Sequence, residues 1–131
     1  VARWGKVALA KTKVMNKEKD VELESLYAHS HNNKMKTLEG CISRNIGEIL
    51  LNIDDRHMPE AEKWIQKAIE ADQRNGVRFY LGTDYAVYAE WFKRKGDRSK
   101  AQENLGRAIE ILKECGADGW VGKYEKELAS L

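Results

Sequence analysis

Apolar residues recur along this chain at steps of three and four, with charged residues filling the places between. Such spacing gathers the apolar side chains on one face of a helix. The clearest run is Tyr85, Tyr88-Ala89 and Phe92, then Gly96-Asp97, then Ala101, Leu105 and Ala108. Large residues mark a buried stripe, small ones mark close helix approach, and Gly96-Asp97 interrupts the period, so the stretch reads as a helix hairpin. Upstream, Trp4, Val7 and Leu9 predict a helix, residues 16–20 a polar break, and Val21 to His31-Asn32-Asn33 a second helix. A third runs from Met35 to Ile53. After the Asp54-Asp55-Arg56-His57 turn, Pro59 lies just inside a fourth, where its missing N–H is harmless, and Asn75-Gly76 stops it. Beyond Cys115-Gly116, Asp118 is expected to cap a last short helix holding Trp120, Val121, Tyr124 and Leu128.

An internal repeat runs through these elements. Ala61, Ala68, Ile69, Glu70 and Gly76 recur forty residues later as Ala101, Ala108, Ile109, Glu110 and Gly116. Gly40, Gly82 and Gly122 keep a similar register, 42 and 40 residues apart, and Ile46-Gly47 parallels Tyr88-Ala89. Hairpins at residues 1–33, 35–76 and 78–116 and a capping helix at 118–131 then account for essentially the whole chain. A single hairpin cannot bury its apolar face, whereas stacked neighbours build one continuous core.

The order of large and small residues resembles the tetratricopeptide repeat: a large residue, a large-small pair, another large residue, then Ala-x3-large after a turn. The period of 40 to 42 exceeds that family's usual 34 or so, and the extra residues are expected to lengthen the second helix of each pair. The resemblance implies an all-α fold of about seven helices, an α-α superhelix (solenoid) of three tetratricopeptide-like hairpins plus the capping helix. Residues 99–131 are also similar to the C-terminal arrays of large bacterial signalling proteins. Val1 falls inside helical pattern, so the chain is expected to be part of something longer.

Composition narrows the function. The 131 residues suit one domain, and 23 Lys+Arg against 21 Asp+Glu leave a net charge of +2, which argues against a nucleic-acid partner. A hydrophobic fraction of 42% is too high for disorder. Cys41 and Cys115 fit no metal or redox spacing and read as small buried thiols in a reducing compartment. No apolar run approaches the roughly 20 residues of a membrane span, and no signal peptide opens the chain, so a cytoplasmic protein without membrane contact is expected.

Candidate chemistry is thin. His29 and His31, two residues apart on a helix, point in nearly opposite directions and cannot share an ion; helical zinc ligands want four-residue spacing and a third donor. His57 belongs to a polar turn. No Gly-rich phosphate loop is present, and an enzyme would need a buried polar cluster that the sequence does not disclose. No catalytic residue, metal or cofactor is expected. The aromatic residues fall in the apolar stripes, as core residues do.

What remains is a surface. In tetratricopeptide arrays the first helix of each hairpin lines a concave groove that holds a peptide or a partner's helix. With Gly47 and Ala89 as the small residues of the large-small pairs, the resemblance places Arg44, Asn45, Glu48 and Asn52 in that groove. From the next hairpin come Thr83, Ala86, Val87, Glu90, Lys93 and Arg94, and from the first Arg3 and Lys6. Arg44 beside Asn45 would suit a peptide carboxylate and backbone, or Arg44 would pair with Glu48 one turn on. The carboxylate clamp of chaperone-binding members is not reproduced: only Asn45 matches, and Ala2, Thr83 and Val87 stand where clamp residues belong. The expectation is a non-catalytic protein-protein interaction module, the scaffold or regulatory arm of a larger protein. The alternative is a structural array that packs on its own upstream domain or self-associates through its uncapped N-terminal end.

Overall fold

The structure, a computed structural model, describes residues 23–131. Among these residues the chain is all-helical, with six α-helices: α1 (Leu23–Asn32), α2 (Lys36–Ile53), α3 (Met58–Arg74), α4 (Arg78–Lys95), α5 (Arg98–Glu114) and α6 (Asp118–Ser130). The predicted helix through Trp4, and with it most of the first hairpin, lies outside the described residues. A single 3-10 turn, Asp55–His57, precedes α3, nucleated by the Asp54 carboxylate accepting from Arg56 N–H at 3.0 Å. Pro59 stands in the first turn of α3, as expected.

Three joints share one construction. Gly76, Gly96 and Gly116 have φ of 69°, 84° and 71°, a left-handed conformation in which a Cβ is strained. At each, the N–H of the next residue reaches back to a carbonyl of the preceding helix: Val77 to Asp72, Asp97 to Phe92 and Ala117 to Leu112, at 2.9–3.0 Å. These bonds satisfy carbonyls that the helix end would leave unpaired. The residue after each glycine then starts the following helix, its carbonyl accepting from Leu81, Ala101 or Val121 N–H. Asp97 adds a side-chain cap on Lys100 N–H at 3.0 Å. Asp118 does not cap α6 as expected; Ala117 holds that position, because the joint glycine sets the register one residue earlier. The two helices of a pair are nearly equal, 18 and 17 residues in both α2–α3 and α4–α5, so the added length is shared rather than confined to the second.

Each helix packs on its chain neighbour, and α2 also reaches α4. One core holds Ile42, Ile46, Ile49 and Leu50 of α2, Ala61 and Ile65 of α3, and Trp91 and Phe92 of α4. The second holds Ala86 and Ala89 of α4, Leu105, Ala108 and Leu112 of α5, and Val121 and Tyr124 of α6. Small residues mark the close approaches. A Cβ on Gly47 would lie 2.8 Å from Ile65 Cγ1, and one on Gly82 would lie 2.9 Å from Leu112 Cγ. Trp91 is buried in the first core and donates its Nε1–H to the Met58 carbonyl at 2.8 Å, fastening α4 to the start of α3. Cys41 is buried as expected. Cys115 is exposed rather than buried; it caps the end of α5, outside the apolar stripe of that helix.

Candidate functional groove

Helices α2, α4 and α6 occupy corresponding places in the repeat, each opening with a glycine of the Gly40, Gly82, Gly122 series. Between them runs an open groove of about 270 Å³. Leu51, Ala86 and Val87 give it apolar surface, Glu48, Asn52, Glu90, Arg94 and Glu127 give it polar edges, and Tyr124 closes one side. A smaller, more enclosed recess beside Ala89 and Leu105 takes in Lys93 and shares Glu90 and Glu127. Thus Glu48, Asn52, Glu90, Lys93 and Arg94, with Ala86 and Val87, meet along one surface.

The other expected groove residues are placed differently. Arg44 is 7% and Asn45 6% exposed. Arg44 points its Nη1 at Asp84 Oδ1, 3.3 Å away, lies beneath the Tyr80 ring with 5.3 Å from Cζ to centroid, and keeps Nε 3.8 Å from Glu48. Asn45 donates to the Cys41 carbonyl one turn back at 2.7 Å. Thr83 similarly donates to the Phe79 carbonyl and does not line the groove. Arg3 and Lys6 lie outside the described residues. Leu51, Tyr124 and Glu127 line the groove without having been anticipated. The repeat carried their signal: Tyr124 and Glu127 stand forty residues after Asp84 and Val87, and Leu51 stands 42 before Lys93. Reading 118–131 as a cap hid it.

Arg94 is the most constrained side chain of the groove. Its Nε donates to Glu90 at 3.1 Å, Nη1 to the Leu51 carbonyl at 2.7 Å and Nη2 to Asn52 Oδ1 at 2.9 Å. All three guanidinium nitrogens are thereby engaged, and the residue works as a brace between α2 and α4.

Beneath the groove lies the buried polar cluster that the sequence did not disclose. Arg44 faces Asp84, and Asp84 faces Asp72; both aspartates are fully buried. A Cβ on Gly40 would overlap the Asp72 carboxyl, so glycine is what admits that carboxyl to the α2 backbone. Burial, above all, pushes the Asp84 carboxyl far above the carboxylate range, and its hydrogen bond with Asp72 adds to that while Arg44 opposes it. Burial raises Asp72 as well. Two buried carboxyls beside one guanidinium therefore keep a proton between them. For Arg44, burial disfavours the charge, but Asp84, Cys41 and Glu48 outweigh it and raise its pKa. Burial pushes the Cys41 thiol up, which keeps it a thiol rather than a nucleophilic thiolate.

Among the described residues no helix is long and apolar enough to cross a membrane, and no group of three or more His, Cys, Asp or Glu side chains is arranged to hold a metal ion. In comparisons with known proteins, no family model matches the chain, and no curated protein or solved structure matches it significantly.

Proposed function

We propose that the chain is a non-catalytic interaction module, a tetratricopeptide-like α-α superhelix that holds a partner peptide or helix in the groove of α2, α4 and α6. The observation that carries this reading is the groove itself, formed by the repeat-equivalent helices and floored by apolar residues between polar edges. Such a floor offers burial to an apolar side chain, while the edges fix orientation. The Arg94 brace supports the reading, since it holds α2 and α4 at a set separation before any partner arrives. The module would act in the cytoplasm, where the exposed thiol of Cys115 stays reduced, as the scaffold or regulatory arm of a larger protein.

The test places a photo-crosslinking amino acid at Lys93, on the recess that adjoins the groove, or at Lys67, which lies over Trp64 on α3. Both are exposed positions, so each variant should fold. Host lysate is irradiated with each. Adducts formed at Lys93 and absent at Lys67 support the groove. Adducts of equal yield at the two sites, or none specific to Lys93, overturn it.

A further inference from the structure

The chemistry of the occupant can be read from which groups on the groove are already engaged. A carboxylate guest needs a free guanidinium or ammonium. Arg94 has its charge met by Glu90 and gives a hydrogen bond from each of its three nitrogens within the protein, and Arg44 is buried against Asp84 under Tyr80. Among the described residues lining these two hollows, Lys93, on the smaller recess, is the cation that makes no ion pair.

The acceptor side is different. Glu127 is exposed on the groove and makes no ion pair among the described residues. Beside it, Tyr124 is 8% exposed and lines the groove, yet its hydroxyl has no hydrogen-bond partner among the described residues. The ring is buried while the hydroxyl reaches the groove surface, where its oxygen can accept from a guest. Its surroundings are electronegative: after burial, the carboxylates of Glu127 and Glu48 hold the phenol above its ordinary pKa, against the opposing charge of Arg44. Next to this polar end, Leu51, Ala86 and Val87 provide the apolar floor.

Resting on the groove reading above, we infer that the occupant is an amphipathic peptide segment that sets a lysine or arginine against Glu127 and the Tyr124 hydroxyl and lays an apolar side chain on Val87 and Leu51. The cationic head donates to the carboxylate and to the phenol oxygen, both of which accept. Lys93 shares the smaller recess with Glu127 and so acts against the guest rather than for it, as a like charge beside the same carboxylate.

A displayed random-peptide library selected on the full chain tests this, followed by binding of labelled enriched peptides measured by fluorescence anisotropy. Enriched peptides should carry Lys or Arg near an apolar residue. Glu127→Lys should weaken them about tenfold or more, the scale of a hydrogen bond to a charged group. Tyr124→Phe, which keeps the ring packing, should weaken them roughly threefold, and Lys93→Glu should strengthen them. Circular dichroism confirms that each variant is folded. Enriched peptides that are acidic or uncharged but respond to Lys93→Glu overturn the inference and leave the groove reading standing. Enriched peptides indifferent to all three variants, or no enrichment at all, overturn both.

Discussion

The Arg44–Asp84–Asp72 cluster makes opposite predictions for two substitutions that both remove charge. Its position in the repeat shows why. Asp72 stands forty residues before Leu112, and as Leu112 packs against Gly82, so Asp72 packs against Gly40. An aspartate therefore occupies a leucine-shaped site, fully buried, with both carboxyl oxygens lacking a partner other than the neighbouring carboxyl. Asp72→Leu removes that poorly satisfied group, a gain of about 1–3 kcal/mol, and leaves Arg44 with Asp84 as a one-to-one pair. Arg44→Leu instead strips the guanidinium from two buried carboxyls, which should cost about 3–5 kcal/mol.

The sign of the pH dependence follows from the same proton. Unfolded, both carboxyls ionise near pH 4. Folded, burial raises both, Asp84 to about 10. The native state thus binds more protons than the unfolded one across that window, so stability is greatest below about pH 4 in this respect and falls as pH rises toward about 10. Urea unfolding of wild type and both variants, repeated between about pH 5 and pH 9, measures all of this. Wild type should lose stability toward alkaline pH, and Asp72→Leu should flatten that slope and lie above wild type. If Asp72→Leu destabilises as much as Arg44→Leu, Asp72 is an ionised partner of the guanidinium and the shared-proton account fails.

Five further substitutions probe the packing. Ala101 and Ala108 are fully buried where helices meet; Ala101→Leu or Ala108→Leu should cost about 1–3 kcal/mol by overpacking, and an unchanged melting temperature would refute the repeat register. Gly96→Ala should cost about 1–2 kcal/mol because its φ of 84° is left-handed. Gly106→Ala, inside α5 with open space around it, should stabilise by about 0.5–1 kcal/mol; thermal melts that fail to give these opposite signs would contradict the joint geometry. Trp91→Phe keeps most of the ring burial but loses the bond from the indole to the Met58 carbonyl, so chemical denaturation should show a loss of about 0.5–1.5 kcal/mol.

The sequence by itself determined the helices, their joints and the register between repeats. Those features are local, or they recur: three- and four-residue spacing, Gly76, Gly96 and Gly116 at the stops, and small residues where a neighbour must come near. Register alone brought Glu48, Asn52, Glu90, Lys93 and Arg94 to one surface, because positions that correspond in a repeat face the same way. What each side chain touches was decided only by tertiary structure. Periodicity assigns a residue to a face but does not say which group forty residues away will stand opposite it. Arg44 and Arg94 both read as exposed cations, yet Asp84 draws one inward and the Leu51 carbonyl and Asn52 engage the other. Nothing in the periodicity marks Asp72 and Asp84, which folding seals together among α2, α3 and α4. A charged residue's role depends on whether water or another charge is its neighbour, and only packing settles that.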